Sequence, residues 1–282
     1  MCEFCVKHGE GRKWYLEAKN YSEDLLNDLS RRKTISDIVH RIEESGKKFE
    51  ERFNRLEKAP GLVQRLVRWL VVRKMKKEHY GQVVPIEDVE RIFNLINSVV
   101  RVACVCRYTK LGEEKRYCYG ISMGPIDDET VESLLGGENS FLNGPESKGA
   151  EEMDKDEALS NLRDYERQGL CHTVWTFGTP FIGAICNCDR SDCLAMRSTV
   201  THDVPVMFRA EYVAEVRPDL CEGCRQCMRV CQFGAIGYSA AQGKIFIDPR
   251  RCYGCGICRA VCPRGAIELK DRVSVPAAAE RW

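Results

Sequence analysis

The chain has 282 residues, of which 43 are basic and 42 acidic, with 44% hydrophobic and 30% charged residues. These values describe a soluble globular protein of two domains, or of one domain with an appendage, and the near-zero net charge argues against nucleic-acid binding through a broad basic surface. The unusual number is 17 cysteines, because a chain of this length does not depend on disulfides for its stability.

The amino terminus lacks the basic and then apolar pattern of a signal peptide, and no segment approaches the roughly 18 apolar residues of a membrane span. We therefore expect a cytoplasmic protein. Thiols stay reduced in that compartment, so grouped cysteines are expected to bind metal or to act in redox chemistry.

The first 80 residues are predicted to form a charged helical region. Apolar residues recur at helical spacing until Pro60 and Gly61 interrupt the pattern. The helical run that follows, Leu62 to Tyr80, has six Lys or Arg against one Glu. The part from Leu62 to Lys77 could contact an anionic membrane surface or an acidic partner, and the alternative is a core helix with a solvated basic face.

Residues 81–205 are predicted to form an α+β domain that contains a cysteine site. One helix is expected from Pro85 to about Asn97, and another from the Asp154 cap to about Gln168. Glycines and acids at 136–153 predict a mobile loop. Strands are expected at Val99–Cys106, Lys115–Met123, Cys171–Phe177 and Phe181–Cys188.

Two copies of one cysteine pattern lie near the carboxyl terminus. A sixteen-residue segment begins at Cys221 and recurs 31 residues later at Cys252, with nine identical positions. Each copy has the spacing C-x2-C-x2-C-x3-C, in which a tight loop presents three thiolates to a four-iron cluster. Two zinc sites are the weaker interpretation, because zinc modules usually separate their cysteine pairs by a longer gap.

This repeated pattern resembles the bacterial-type two-cluster ferredoxin module. The resemblance implies a small domain with short β-hairpins at residues 206–272, before a tail at 273–282. It also implies two four-iron four-sulfur clusters with crossed ligation, because the last cysteine of each copy binds the other cluster. One cluster would be held by Cys221, Cys224, Cys227 and Cys262, and the other by Cys252, Cys255, Cys258 and Cys231.

Other positions in the module agree with this family except at one place. Gly223 and Gly254 are expected to let the backbone approach the clusters closely. Pro263 follows the last cysteine as in the family, but Gln232 replaces the corresponding proline of the first copy. That replacement bears on the solvent exposure and the reduction potential of the nearby cluster. Short strands are expected at Tyr212–Val216 and Lys244–Ile247.

The remaining nine cysteines are grouped as well. A C-x-C pair on a strand directs both thiols to one face, which predicts a shared metal for each such pair. The turn through residues 189–192 is expected to return the next cysteine to the second pair. An additional four-iron cluster is therefore predicted to draw on Cys104, Cys106, Cys118, Cys186, Cys188 and Cys193.

Further alternatives remain for the cysteines outside the module. Cys2 and Cys5, with His8 nearby, could complete a second additional cluster or a zinc site. Buried free cysteines throughout are the simpler interpretation. The pattern from Val102 to Arg107, then Cys118 and the later C-x-C pair, resembles a group of anaerobe iron–sulfur proteins described only as ferredoxin-like.

Electron transfer is the function that these patterns favour. The two clusters would exchange single electrons with a partner oxidoreductase, which the larger domain would select. One alternative is an oxidoreductase subunit whose amino-terminal cluster is open to substrate. Another is a redox-sensing regulator, with a winged-helix arrangement around residues 85–170.

Overall fold

A computed structural model of the protein describes residues 13–78, 81–126 and 150–280. The fold is α+β, as predicted: helices and one six-stranded sheet precede a small module with two two-stranded sheets. Neighbours in the large sheet are antiparallel, in the order β1-β5-β6-β3-β2-β4. Its strands are β1 (Gly81–Val83), β2 (Ser98–Val102), β3 (Cys118–Ser122), β4 (Glu151–Glu152), β5 (Cys171–Thr176) and β6 (Ile182–Cys188).

The helices of this part of the chain begin where the sequence offers caps. The Asp28 carboxylate accepts from the Arg31 amide at the start of the longest helix, and Asp154 accepts from the amides of Asp156 and Glu157. The helix predicted after Asp154 is thus confirmed. The helices are α1 (Glu23–Leu26), α2 (Leu29–Glu57), α3 (Gly61–Glu78), α4 (Ile86–Phe93), α5 (Val105–Leu111), α6 (Lys155–Arg167) and α7 (Leu194–Val200).

The two faces of the large sheet differ in chemistry. Paired residues of adjacent strands point to the same face, and successive residues along a strand alternate. Tyr119 and Ile185 are one such pair, and they face a buried hydrophobic core that α4 and α6 cover. Cys118 and Cys186, the neighbouring pair, point to the opposite face. The hydrophobic core therefore lies on one side of the sheet and the cysteines on the other.

The strand predicted at Val99–Cys106 is wrong at its carboxyl end. β2 stops at Val102, Cys104 is the N-cap of α5, and Cys106 lies in the first turn of that helix. The chain leaves the sheet here because the Cys104 amide donates to the Lys115 carbonyl, at 2.6 Å, rather than to a neighbouring strand. These two thiols therefore share a site through a helix start and not through strand alternation.

Two other predicted boundaries and one predicted arrangement also change. α4 ends at Phe93, since the chain turns through residues 94–97 to enter β2. Within the predicted loop at 136–153, residues 136–149 lie outside the described chain, and Glu151 and Glu152 form the edge strand β4. The described parts of residues 85–170 contain no winged helix, because β2 and β3 belong to the six-stranded sheet.

α3 does not pack as a core helix. Leu62 is 80% exposed and Trp69 is 54% exposed, and Leu66 and Leu70 are exposed on the same side. Spacings of three and four residues place these four side chains along one stripe, which we call the α3 apolar face. The core-helix alternative is therefore wrong. None of the described helices has the length and apolar composition needed to cross a bilayer.

The carboxy-terminal module contains the two strands that the sequence predicts, together with their partners. The strand β7 pairs with β10, and β8 pairs with β9. The tail is part of this fold, because Ala278 is buried in the core of the module. The module comprises β7 (Tyr212–Val216), α8 (Gln226–Val230), β8 (Ile236–Ser239), β9 (Lys244–Ile247), α9 (Ile257–Ala260), β10 (Ile267–Asp271) and α10 (Pro276–Ala279).

The module is bound to the sheet domain by backbone and side-chain hydrogen bonds. The Phe208 amide donates to the Gly81 carbonyl at 2.8 Å, and the Val83 amide donates to the Phe208 carbonyl at 2.9 Å. The Tyr212 hydroxyl hydrogen-bonds to the buried Asp88 carboxylate at 3.1 Å. These bonds place the cysteine-bearing face of the sheet against the module.

Candidate metal centres

Four cysteines of the module surround one cavity. The cavity has about 290 Å³ of empty space, part of it open to solvent, and Gly223, Arg225 and Arg264 also line it. Burial raises the pKa of Cys227 to about 11, and the largest charge effect on this thiol comes from Cys262 of the second copy. We call these four cysteines the outer set: Cys221, Cys224, Cys227 and Cys262.

The other four cysteines of the module form the inner set: Cys231, Cys252, Cys255 and Cys258. Burial raises the pKa of Cys258, and so do the charges of Cys255, Cys252 and Cys231. Backbone amides donate to two of the sulfurs: Ala214 to Cys252 at 3.3 Å, and Ala235 to Cys231 at 3.3 Å. Each set takes its fourth cysteine from the other copy, which is the grouping that the resemblance implies, while ligation itself stays a prediction.

Neighbouring backbone leaves no room for a side chain at the two motif glycines. Gly223 has φ +67°, and a Cβ there would lie 2.0 Å from the Gly243 carbonyl oxygen. Gly254 has φ +70°, and a Cβ would lie 2.1 Å from the Tyr212 carbonyl oxygen. Any other residue would therefore be strained and would also displace the loop. The sequence had suggested only the approach of the backbone to a cluster.

The loops, the cavity and the amide donors to sulfur all fit a four-iron cluster with thiolate ligands. A comparison with protein-family models agrees. Residues 220–267 match the model of the 4Fe-4S dicluster domain. The chain thus carries a dicluster ferredoxin module, a type of domain that transfers electrons through iron–sulfur clusters. No curated protein and no solved structure matches the chain, so the wider resemblance to ferredoxin-like proteins of anaerobes gains no support.

A second group of cysteines lies outside this dicluster module, on the face of the large sheet that is opposite the hydrophobic core. β3 and β6 contribute three of its thiols, the start of α5 contributes two, and the N-cap of α7 contributes one. All six cysteines predicted for an additional cluster are therefore brought together. We call this group the buried thiol site: Cys104, Cys106, Cys118, Cys186, Cys188 and Cys193.

Sulfur–sulfur contacts connect the members of the buried thiol site. Cys104 Sγ lies 3.3 Å from Cys118 Sγ, and Cys118 in turn is the strand partner of Cys186. Cys193 Sγ lies 3.2 Å from Cys188 Sγ, so the predicted return of the chain through the turn at 189–192 is confirmed. The Cys106 side chain packs against the apolar cluster that contains Cys193. Hydrogen bonds from the Cys106 and Cys188 thiols lower the pKa of Cys193.

A buried ion pair adjoins this site. Arg107 is only 3% exposed, its Nη1 lies 3.5 Å from Cys104 Sγ, and its Nη2 forms an ion pair with Asp189. Burial acts to lower the pKa of Arg107, but the charges of Cys104 and Asp189 outweigh it and raise the pKa above its ordinary value. The guanidinium can therefore compensate negative charge at the thiols.

Cys171 belongs with these residues, although the sequence did not single it out as a ligand. It is fully buried on β5 and pairs in register with Cys188. It also belongs to a buried apolar cluster against which Cys255 of the inner set packs. Strand alternation predicts which face of β5 it occupies, but not which strands lie beside β5.

The histidine that follows Cys171 in the chain does not belong to the buried thiol site. His172 is buried on the hydrophobic face of the sheet, where Nδ1 donates to the Asn187 side-chain oxygen at 2.5 Å. Burial lowers its pKa to about 4, so it is neutral near pH 7. Cys2, Cys5 and His8 lie outside the described residues. Within the described ranges, no three His, Cys, Asp or Glu side chains converge as they would around a single metal ion.

Proposed function

We propose that this protein is an electron carrier whose two four-iron clusters are ligated by the outer and inner sets and exchange electrons with a partner oxidoreductase. The observation that carries this proposal is the cavity around which the two copies place four thiols, three from one copy and one from the other. Each cluster, when bound through four thiolates, supplies reversible one-electron chemistry with no open coordination position.

The residues around the outer set favour contact with a partner. Cys224 is exposed, and Glu222, Arg225 and Arg264 stand around the opening of the cavity. In contrast, Cys252 and Cys258 of the inner set are buried. Electrons would therefore enter or leave the module at the outer set.

We also place an additional iron–sulfur centre at the buried thiol site. Six thiols are available for the four ligand positions of a four-iron cluster. The Tyr117 backbone amide donates to the Cys104 sulfur at 2.9 Å, and Arg107 lies beside the same sulfur. Such amide donors and a nearby arginine stabilise the negative charge of a thiolate-bound cluster.

The burial of this site favours an electron carrier over the enzyme alternative. Cys104, Cys188 and Cys193 are each almost inaccessible to solvent. A substrate would need an open path to a metal at these sulfurs, whereas an electron needs only proximity to another centre. We therefore assign the site to internal electron transfer.

A membrane surface is the second partner that we propose. The α3 apolar face lies between exposed cations, among them Arg65, Arg73 and Lys74. An apolar stripe flanked by cations suits insertion at the interface of a bilayer that contains anionic lipid.

Metal analysis tests the number of centres. Protein purified or reconstituted without oxygen is expected to contain about twelve iron atoms per chain, four for each of three clusters. Dithionite should bleach its visible absorption. About eight iron atoms per chain would contradict the additional centre and leave the two module clusters in place.

The matched variants are double substitutions. Cys104→Ser with Cys193→Ser should remove about four iron atoms, whereas Cys224→Ser with Cys227→Ser should remove a different cluster with a different spectrum. Equal spectral losses in the two variants would argue against separate centres.

A further inference from the structure

Cys171 connects the buried thiol site to the inner set. Its side chain belongs to one buried apolar cluster with Cys193 of the buried thiol site, and Cys255 of the inner set packs against the same cluster. It therefore lies close to a thiol of each group as well as to Cys188, its partner in the strand register. The buried thiol site and the inner set are adjacent.

Gln232 holds the same two parts together from the side of the module. Its Nε2 donates to the Gly169 carbonyl at 2.6 Å, and its Oε1 accepts from the Arg190 amide at 3.0 Å. Gly169 comes two residues before Cys171, and Arg190 lies in the turn that leads to Cys193. One side chain, next to Cys231, thus fixes two segments of the sheet domain. A proline at this position, as in the ferredoxin family, could form neither bond.

Apolar packing completes the contact. The rings of Phe233 and Tyr253 stack with centroids 4.0 Å apart, and both belong to the hydrophobic cluster that contains Cys171 and Cys193. Val230 packs against Gly169, where a Cβ would approach it to 3.3 Å. Water is thereby excluded between the two thiol groups.

We propose that Cys171 and Gln232 are positioning residues that hold the inner set against the buried thiol site, so that a single electron passes directly between the centres bound there. This inference rests on the proposed function. In this transfer, a reduced centre bound by the inner set would lose one electron, and a centre bound at the buried thiol site would gain it. No bond forms or breaks, and the electron comes from a one-electron donor that reduces the outer set. The buried site is then the internal end of a three-centre path.

Two variants test these roles without removing any cysteine of the three sets. Cys171→Ala deletes the connecting thiol, and Gln232→Pro restores the family residue while deleting both hydrogen bonds. Cys171→Ser keeps a hydrogen-bonding group, and Gln242→Ala changes an exposed glutamine in the turn between β8 and β9. All four are compared with the unaltered full chain for iron content and for the electron paramagnetic resonance of the reduced protein.

In the unaltered protein we expect magnetic interaction between the inner-set and buried-site signals, and fast reduction of the buried centre after the module is reduced. Cys171→Ala and Gln232→Pro should keep the full iron content but weaken the interaction and slow reduction of the buried centre several-fold, because both effects decline as the distance between the two centres increases. The rate of reduction of the module clusters should not change. Cys171→Ser should recover most of the interaction, and Gln242→Ala should have no effect.

Each other result overturns the inference in a recognisable way. If all three centres are present but Cys171→Ala and Gln232→Pro alter neither the interaction nor the rate, the positioning roles are wrong and the proposed function stands. If Cys171→Ala loses iron, Cys171 is a ligand and not a positioning residue. If the unaltered protein holds iron only in the module, the additional centre and the path to it are both wrong.

Discussion

Glu166 is a buried carboxylate next to the loop of the inner set. One of its oxygens lies 3.5 Å from the position that a Cβ on Gly256 would take, and this oxygen has no hydrogen-bond partner among the described residues. Burial raises its pKa from 4.5 to about 7, with the positive charge of Arg259 acting in the opposite direction. A bound cluster, being negatively charged, would raise it further.

The sign of this shift predicts how stability depends on pH at this residue. A carboxyl whose pKa is raised in the folded state does not lower the free energy of unfolding below pH 4.5, because it is protonated in both states. As the pH rises from 4.5 toward about 7, it lowers the free energy of unfolding by an increasing amount. Glu166→Gln should therefore increase the free energy of unfolding at pH 8, by about 1–3 kcal/mol. The gain should disappear below pH 4.5.

Thermal or denaturant unfolding at several pH values provides the measurement for Glu166→Gln. Glu157→Gln, at an exposed position on the same helix, is the control and should leave stability nearly unchanged at every pH. A stabilisation that does not depend on pH would show that the carboxylate charge is not its cause.

Crossed ligation is also decided by individual residues. Because Cys262 lies with the outer set, Cys262→Ser should alter the same paramagnetic signal as Cys224→Ser. Cys231→Ser should instead alter the signal that responds to Cys255→Ser, because the charges of both residues act on Cys258. If Cys262→Ser changed the Cys255 signal, each copy would ligate its own cluster.

Among the described elements, α3 leaves the largest number of apolar side chains in solvent. Its first part carries the α3 apolar face, and Arg73 lies over the ring of Trp69 at 5.3 Å. Each Lys or Arg at an anionic bilayer surface contributes about 1 kcal/mol. The protein is therefore expected to sediment with vesicles of phosphatidylserine and phosphatidylcholine, and to do so less at high salt.

Substitution within the apolar stripe is the corresponding test. Leu66→Glu with Trp69→Glu should abolish binding to these vesicles, because it removes apolar area and adds negative charge. Val273→Glu, at an exposed apolar position in the module, should bind like the unaltered protein. Equal binding to vesicles of pure phosphatidylcholine would contradict a role for the cations.

α5 and α7 show how short helices position cysteines. Cys104 and Cys193 are the N-caps of these helices, and neither side chain forms a capping hydrogen bond. Their thiols instead contact other members of the buried thiol site, Cys118 for Cys104 and Cys188 for Cys193. Sequence periodicity missed this for Cys104, because the apolar residues before it continue the pattern of β2.

At the scale of the whole molecule, Asp88 connects three segments that are far apart in the chain. It is fully buried and accepts from the Tyr15 hydroxyl at 2.8 Å, Tyr212 bonds it from the module, and Arg91 lies 3.1 Å away. The amino-terminal segment, the sheet domain and the dicluster module thus meet at one carboxylate. Docking of the module depends on this network.

Asp88→Ala should leave two tyrosine hydroxyls without their acceptor, which costs about 2–4 kcal/mol of unfolding free energy. It should also separate the unfolding of the module from that of the sheet domain in a calorimetric scan. Asp164→Ala, which removes only an exposed pair with Arg167, is the control. A single unchanged transition in Asp88→Ala would show that the apolar contacts suffice for docking.

The sequence alone determined the two cysteine loops of the dicluster module, because the cysteines of each copy lie close together in the chain. Their spacing specifies a loop and a following helical turn, and the short strands at Tyr212–Val216 and Lys244–Ile247 follow from their own residues. The sequence also placed Cys188 beside Cys193, because a short turn joins them. These are contacts between residues close in the chain.

Only the tertiary structure decided which of these groups are adjacent. The sheet order places β5 next to β6, and β6 next to β3, strands that are distant in the chain. Alternation along one strand assigns its faces, but long-range pairing decides what each face meets. Cys171 thus came to pair with Cys188 and to lie in an apolar cluster against which Cys255 packs, and Gln232 came to bind Gly169 and Arg190. Both contacts depend on burying the cysteine face of the sheet against the module.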